Sequence, residues 1–169
     1  SLRRDIVVGY GARELAATSV PNSIRIDEWG AECAVTEPDF VRSSFDHPIY
    51  VLYSSGTTGK PKCIVHRAGG VLLKHWSEHL LHCDLRSGDR LMYFTTTGWM
   101  MLNWLVSALG SKACLALYDG APFHPDHNVL FDYVDTCKIT LFGTSAKFID
   151  SLAKMSASPM ETHDLSCLK

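Results

Sequence analysis

Short apolar runs and longer amphipathic segments alternate along most of this chain, and the alternation predicts its elements. Five runs rich in β-branched and aromatic residues are typical of buried strands: Ile49–Tyr53, Cys63–His66, Leu91–Phe94, Ala113–Tyr118 and Ile139–Phe142. Four segments have the apolar spacing of helices: Ala68–Cys83, Trp99–Leu109, Val129–Cys137, and one that starts after Gly143–Ser145 and ends near Met155. Gly110 is the expected stop of the second helix. Because strands and helices alternate, we expect an α/β fold with a parallel or mixed sheet covered by helices.

Before residue 48 the pattern is weaker. Asp5–Tyr10 predicts a short buried strand, and Ala12–Thr18 a weak helical turn. Apolar and polar residues alternate over Ser23–Trp29, which predicts a second strand. Gly30–Pro48 is polar and interrupted by proline, so it is expected to connect elements rather than to separate domains. Residues beyond Met155 are expected to form a loop.

The most informative segment follows the strand at Ile49–Tyr53, where the sequence changes to hydroxyl groups, glycines and lysines. Glycine can adopt a positive φ and carries no side chain, so backbone N–H groups of such a loop can point into one concavity that suits a phosphate. The hydroxyl groups are further donors and the lysines add positive charge. The candidate phosphate-binding residues are Ser54, Ser55, Gly56, Thr57, Thr58, Gly59, Lys60 and Lys62.

A P-loop of the Walker type is one alternative for this segment. It requires four residues between its glycines, a Ser or Thr after the lysine, and a helix that starts there. Here two residues separate Gly56 from Gly59, Pro61 follows Lys60, and Cys63–His66 predicts a strand. We therefore expect this segment to be the tip of a strand–loop–strand unit. The alternative is a hydroxyl-rich hairpin that binds no ligand.

Three polar clusters follow predicted strands, at Ser54–Lys62, Thr95–Trp99 and Gly143–Lys147. Ligands of such sheets bind beyond the carboxyl ends of the strands, so strands that lie side by side would bring all three clusters to one crevice. The candidate residues of a substrate pocket there are Thr97, Gly98, Trp99, Met100, Gly143, Thr144, Ser145 and Lys147. Two alternatives stay open. The Trp-Met-Met segment is equally typical of a buried helix. Ser145 or Thr144 is typical of a helix N-cap.

A zinc site is the alternative from another class of protein. His75, Glu78 and His79 match the H-x-x-E-H pattern of inverted zinc peptidases, with both histidines one turn apart on a predicted helix. Cys83 lies one turn further along. The pattern is short, whereas the hydroxyl-glycine-lysine loop is specific. A polar or half-buried helix face is the preferred interpretation of these histidines, and no metal ligand is assigned.

Composition narrows the classes of partner. The chain has 169 residues, 46% of them hydrophobic, and a formal net charge of −2, with no basic stripe of the kind that follows a nucleic-acid backbone. No apolar run approaches the roughly 20 residues that span a bilayer. The six cysteines are widely spaced and mostly lie in apolar segments, which favours free thiols in a reducing compartment. We expect a soluble cytosolic protein that binds neither nucleic acid nor membrane.

The run SSGTTGKPK resembles the phosphate loop of the adenylate-forming enzymes, the family of acyl-CoA synthetases, luciferases and peptide-synthetase adenylation domains. Together with TTTGWMMLNW and FGTSAKF, it is similar to the branch of that family that joins acetoacetate to coenzyme A. The resemblance implies an acid–thiol ligase that uses ATP and Mg²⁺ and takes acetoacetate and coenzyme A as small-molecule substrates. The loop would hold the β and γ phosphates. Leu102 departs from the branch, whose members tend to carry Trp there.

The resemblance further implies that residues 1–169 form part of the AMP-binding domain. The family's later aromatic-Thr-Glu motif, its ribose-binding aspartate, its hinge and its C-terminal domain have no counterpart here. The chain is therefore expected to be a fragment. A nucleotide-binding remnant that retains the loop but performs no chemistry is the alternative.

Overall fold

The computed structural model describes residues 5–8, 21–31, 37–54 and 59–169. They belong to two compact units, Ser1–Arg42 and Ser43–Lys169. Among the described residues, no helix combines the length and the apolar character that a membrane crossing needs.

In the first unit, strand β1 (Asp5–Val7) pairs in parallel with strand β2 (Ser23–Arg25), and helix α1 (Ile26–Ala31) follows at once. The predicted burial of the first strand is wrong, since Ile6 is 45% exposed. The strand predicted over Ser23–Trp29 is wrong beyond Arg25. Asp27 and Glu28 lie in the first turn of α1, where acidic side chains are stabilised by free backbone N–H groups. The turn predicted at Ala12–Thr18 lies outside the described residues.

The second unit opens with an antiparallel hairpin of β3 (Pro48–Ser54) and β4 (Lys62–Arg67). Ser54 pairs with Lys62, which confirms the predicted strand–loop–strand unit. The predicted burial of this strand is wrong. Ile49, Val51 and Tyr53 are all exposed, Tyr53 at 71%. In the described chain β3 pairs with β4 alone, so the hairpin leaves much of its apolar surface uncovered.

Helix α2 (Ala68–Ser77) continues into a π-helical turn at Glu78–His82, which confirms the helix predicted to Cys83. The wider turn is closed by the bond from the Cys83 N–H to the Glu78 carbonyl, 3.0 Å. Two histidines of this segment, His75 and His79, are buried.

A three-stranded parallel sheet forms the centre of the second unit. Its order is β6 (Cys114–Ala116), β5 (Arg90–Tyr93), β7 (Leu141–Gly143), so the first strand in sequence lies in the middle. Crossovers through helices join the strands. The α/β class with a parallel sheet is therefore confirmed, whereas the hairpin is a separate sheet.

The helices beside the sheet match the prediction closely. Two of them form the crossovers, α3 (Met100–Ser107) and α4 (Val129–Thr136), and α5 (Ala146–Lys154) follows the last strand. The predicted stop at Gly110 is wrong, because α3 continues as a 3₁₀ turn over Ala108–Ser111 and Lys112 adopts the left-handed conformation, with φ 58°. A short helix, α6 (Pro159–Thr162), lies in the tail that was expected to be a loop.

Two core clusters cover opposite faces of the sheet, since successive residues of a strand point to opposite sides. Leu91 packs with Trp104, Leu105 and Ala108 on the α3 side. Met92 packs with residues of α4 and α5 on the other side: Leu130, Phe131, Val134, Phe148 and Leu152. Both Leu91 and Met92 are fully buried, so β5 is the centre of the core.

Candidate active site

The carboxyl ends of β5 and β7 are neighbours, and two of the three predicted polar clusters start from them. The Phe94 N–H donates to the Gly143 carbonyl over 2.9 Å, so Thr95–Trp99 and Gly143–Lys147 leave the sheet side by side. The third cluster, Ser54–Lys62, lies at the tip of the hairpin instead. The hairpin is a separate sheet, so the condition of strands lying side by side is met for the other two clusters and not for this one.

The contact between β5 and β7 depends on a glycine. A Cβ atom built on Gly143 would clash with Cδ2 of Tyr93, so the Tyr93 ring occupies the space that any side chain at residue 143 would need. Tyr93 in turn meets the Trp104 ring edge-on, with centroids 5.9 Å apart. The last residue of β5 is thereby fixed between the neighbouring strand and α3.

A cavity of about 710 Å³ opens beside Tyr93, between the end of β4, one face of α2 and the start of α3. Helix α3 contributes Met100, Met101 and Trp104 to its wall. Of the predicted pocket residues only Met100 lines this cavity, and Trp99 is 64% exposed. Thr97 lines a second cavity of about 440 Å³, which lies over the carboxyl ends of β5 and β6 and also includes Thr95, Thr96 and Asp119.

The wall of the large cavity carries a fixed ion pair. The Lys74 ammonium lies 2.8 Å from Oε1 of Glu78, one turn along the helix. The Trp104 indole N–H donates to Oε2 of the same carboxylate over 3.0 Å. The hydrogen bond from Lys74 is the main cause that lowers the pKa of Glu78, with a smaller contribution from Trp104. Glu78 is therefore an ionised acceptor that both helices hold.

Behind this wall, His75 and His79 meet Ser107 of α3. The Ser107 hydroxyl donates to the Trp104 carbonyl over 2.6 Å, so its lone pairs accept from Nδ1 of His75 at 2.9 Å. Nε2 of His79 donates to the same carbonyl over 3.1 Å. Burial is the first cause that lowers the pKa of both histidines. These contacts join two helices.

The zinc alternative finds no support in this arrangement. Glu78 is bound to Lys74 and Trp104, and the histidines are bound to Ser107 and a carbonyl. No group of three or more metal-ligating side chains is assembled anywhere in the part of the chain that the structure describes.

At the start of α5, Ser145 is the N-cap, and its hydroxyl oxygen accepts from the Phe148 N–H over 3.2 Å. The hydroxyl of Thr144 is buried without a hydrogen-bond partner in the described residues. Lys147 is exposed. The alternative of a plain cap is thus borne out for Ser145, while Lys147 as a residue of the substrate pocket stays a prediction.

Ser54, Gly59, Lys60 and Lys62 of the predicted phosphate loop are described, and residues 55–58 lie outside the described chain. Gly59 has a φ of 155°, which residues with a side chain rarely adopt. Both lysines are exposed. The paired ends Ser54 and Lys62 hold the loop at the hairpin tip.

Comparison with known proteins now bears on this architecture. The sequence model of one family, described as AMP-binding enzyme, matches residues 3–169. The chain belongs to the AMP-binding enzymes. It is 52% identical over 165 residues to acetoacetyl-coenzyme A synthetase of Rhizobium meliloti (strain 1021), which covers 97% of this chain and 25% of the relative. It is also 45% identical over 131 residues to malonamoyl-CoA synthetase of Penicillium aethiopicum, or 72% of this chain and 18% of that protein.

The solved structure of acetoacetyl-CoA synthetase from Streptomyces lividans matches this AMP-binding enzyme with a TM-score of 0.85 and 39% identity. The match covers 99% of this chain and 25% of the solved chain. The resemblance to adenylate-forming enzymes is thereby confirmed. The chain spans about a quarter of the length of these acetoacetyl-CoA synthetases.

For an AMP-binding enzyme, the feature that sequence reasoning missed is the Lys74–Glu78–Trp104 triad on the cavity wall. Lys and Glu one turn apart are common on exposed helices and draw no attention by themselves. The available signal was the indole of Trp104, a donor on an otherwise apolar helix that needs a partner once it is buried.

Proposed function

We propose that the full-length protein carrying this chain is an acid–thiol ligase that activates acetoacetate with ATP and transfers the acyl group to coenzyme A. The observation that carries the proposal is the 52% identity, over nearly the whole chain, to a protein named acetoacetyl-coenzyme A synthetase. Residues 1–169 would form part of the adenylation domain.

The reaction proceeds in two displacements. A carboxylate oxygen of acetoacetate attacks the α phosphorus of ATP, and pyrophosphate leaves, giving acetoacetyl-adenylate. The sulfur of coenzyme A then attacks the acyl carbon, loses its proton, and AMP leaves. The substrates supply both nucleophiles, so the protein contributes position and charge stabilisation.

The hairpin tip is the proposed site for the β and γ phosphates. Backbone N–H groups near Gly59 and the hydroxyls of Ser55, Thr57 and Thr58 would donate to phosphate oxygens. Lys60 and Lys62 stand at the base of the loop, exposed, where they offset the charge of the departing pyrophosphate. Mg²⁺ would arrive bound to ATP and neutralise part of the same charge.

The large cavity is the proposed acyl site. At about 710 Å³ it lies within the range of small-molecule sites, yet it is far larger than a four-carbon acid requires. Volume alone would therefore not distinguish acetoacetate from another acid of the same length, and that choice needs a polar contact. The acetoacetyl and malonamoyl groups share one such feature, a carbonyl on the β carbon.

The remaining predicted pocket residues keep their proposed place around the carboxyl edge of the sheet. These are Thr97, Gly98, Trp99, Gly143, Thr144, Ser145 and Lys147. We propose that coenzyme A approaches along this edge of the sheet.

We place the reaction in the cytosol. Cysteines 63, 83, 114, 137 and 167 are free in the described residues, as expected in a reducing compartment. The substrates are small molecules, and the proposal requires neither nucleic acid nor membrane.

Acetoacetate-dependent exchange of labelled pyrophosphate into ATP tests the proposal in the full-length protein. We expect exchange that needs acetoacetate and Mg²⁺, and thioester formation once coenzyme A is added. Gly59→Val should lower the exchange by roughly 10- to 1000-fold, because the loop loses its conformation and its contacts to developing charge.

ATP binding without exchange for any acid would contradict the proposal. It would favour the nucleotide-binding remnant instead, in which the loop persists but the chemistry is lost.

A further inference from the structure

One face of α2 supplies the large cavity with its only polar helix wall among the described residues. Gly70, Lys74 and Glu78, the first residue of the π-helical turn, follow one another four residues apart along this face, and Val71 lies one turn before Lys74. Gly70 and Val71 are small and leave space in the cavity, whereas Lys74 and Glu78 place charged groups beside that space. Opposite stand the apolar side chains of Met100 and Met101.

The anion of the pair is anchored more firmly than an exposed helix pair usually is. Glu78 accepts from Lys74 over 2.8 Å and from the Trp104 indole over 3.0 Å. The Trp104 ring is buried, and it packs on His79 with ring centroids 4.4 Å apart. The Lys74 side chain is 68% exposed, and this acceptor is the contact that orients its ammonium group.

An ammonium group carries three N–H donors, and Glu78 engages one. The second cation on the cavity wall, Arg67, lies 3.5 Å from the Asp46 carboxylate and donates to the Asp46 carbonyl, so it is engaged at the edge of the hairpin. The nearby imidazole of His75 is bound to Ser107. Lys74 is therefore the cation of this wall that is best placed to donate to a bound molecule.

We propose that Lys74 is the specificity-determining residue of the acyl site and donates a hydrogen bond to the β-carbonyl oxygen of the acid. This inference rests on the proposed function. A plain fatty acid such as butyrate has no oxygen at that carbon, so its binding would leave the ammonium without the partner that acetoacetate offers. A site built around a hydrogen bond rejects an analogue that lacks it far better than an apolar pocket rejects a size variant.

The test compares two acids in the full-length protein. The kcat/KM for acetoacetate and for butyrate is measured by acid-dependent pyrophosphate exchange, in the parent and in Lys74→Met. We expect the acetoacetate-to-butyrate ratio to fall by about 10- to 100-fold in Lys74→Met, with the loss confined to acetoacetate. Lys74→Arg, which keeps a donor, should retain part of the preference.

The matched control is Lys154→Met. Lys154 pairs with Asp150 at the same helical spacing, 2.7 Å apart on α5, and does not line the cavity. The same loss of charge and ion pair there should leave the ratio unchanged. A second variant, Glu78→Gln, keeps an acceptor for Trp104 but releases Lys74, and should lower the ratio in the same direction.

Two results would overturn the inference. An equal loss on both acids in Lys74→Met would mean that Lys74 contacts the carboxylate that both acids share, or supports the fold alone. An unchanged ratio would remove Lys74 from acid selection. Failure of the proposed function would be seen separately, because the parent itself would then show no acid-dependent exchange.

Discussion

Gly143 is the residue on which the packing of the sheet's carboxyl edge depends. Its hydrogen atom leaves the space that the Tyr93 ring fills, and Tyr93 borders both cavities. Sequence alone placed Gly143 at a strand end but could not show why it is glycine. The reason is a ring fifty residues away in the chain, on the neighbouring strand.

We therefore expect Gly143→Ala to destabilise the protein by about 1 to 3 kcal/mol, the usual cost of forcing an extra group into packed space. Differential scanning calorimetry should show a lower Tm. Gly110→Ala is the control, since a Cβ there meets no atom within 4 Å. Equal Tm values for the two variants would refute the packing argument.

Met100 and Trp99 are adjacent in sequence, but the structure separates their roles. Met100 lines the large cavity, and Trp99 is mostly exposed. Periodicity could not distinguish them, because both positions begin an apolar helix. Which of them faces the cavity depends on how α3 packs on Tyr93 and on α2.

Met100→Ala should shift kcat/KM from acetoacetate toward longer acids such as hexanoate by roughly 10-fold, since several methylene equivalents of space open at ~0.8 kcal/mol each. The comparison variant is Trp99→Ala, for which we expect a smaller shift. Circular dichroism must confirm that both variants are folded. A larger shift for Trp99→Ala than for Met100→Ala would indicate that Trp99 lines the pocket, as the sequence predicted.

At the scale of elements, α2 and α3 are joined by a polar contact inside an apolar interface. His79 is fully buried, donates from Nε2, and has no partner for Nδ1 in the described residues. A second proton on that nitrogen would be buried without an acceptor. Burial accordingly lowers the pKa of His79, as it does that of His75.

This contact makes stability depend on pH in a defined direction. In the unfolded chain the two histidines titrate near 6.5, whereas in the native state they stay neutral to lower pH. Below pH of about 6.5 the unfolded state binds more protons, so the free energy of unfolding falls as pH falls toward the native pKa values, and it is unaffected by these groups above that range.

Urea unfolding between pH 8 and pH 5 should show this decline in the parent and a weaker one in His79→Gln. The matched control is His82→Gln on the same helical segment, where the side chain is exposed and the parental slope should persist. A parental slope in His79→Gln would mean that other groups cause the decline.

The elements themselves were largely predictable, and the failures were local. Two long periodic segments, α4 and α2 with its π-helical turn, end within one residue of the prediction. The strand predicted over Ser23–Trp29 gives way to helix from Ile26, because a short alternating run cannot outweigh two acidic residues in a first helical turn. The π-helical turn at Glu78–His82 leaves no mark in the hydrophobic pattern, since five residues are too few to reveal a change of helical period.

At the scale of the whole molecule, Asp89 connects segments that are distant in sequence. Its carboxylate accepts from the Arg86 backbone N–H at 2.6 Å, the Thr140 hydroxyl at 3.0 Å and the Lys169 ammonium at 2.6 Å. Burial raises the pKa of Asp89. The hydrogen bonds from Lys169, Arg86 and Thr140 together lower it by more, so the pKa lies below its usual value. The amino ends of β5 and β7 and the C-terminal tail meet at this group.

Asp89→Asn should lower the free energy of unfolding by about 1 to 3 kcal/mol, because an amide oxygen cannot accept all three of these part-buried hydrogen bonds and carries no charge beside the Lys169 ammonium. Denaturant titration measures the change. Asp150→Asn removes an exposed carboxylate with one lysine partner, and should change stability by less than about 0.5 kcal/mol. Similar losses in both variants would contradict the special role of Asp89.

Global assembly was the part that sequence predicted least. The parallel sheet followed from the alternation of strands and helices, but the hairpin's strand has the same apolar composition as the sheet strands and lies outside the sheet. Composition describes what a strand can bury, while its partners depend on chain geometry. For the same reason the tail could not be assigned to the core, although Leu165 and Leu168 pack against the cluster around Met92.

The position of β5 in the middle of the sheet has a consequence for how quickly the domain folds. Its two neighbours are β6, which pairs Leu91 with Leu115, and β7, which pairs Leu91 with Leu141. Neither strand can add to β5 until a long intervening segment has closed into a loop. The chain loses conformational entropy in that closure before the interactions between the paired strands compensate for the loss. Refolding should consequently be slower than in helical bundles of similar size, and α2 and α4 should form before β6 and β7 pair with β5.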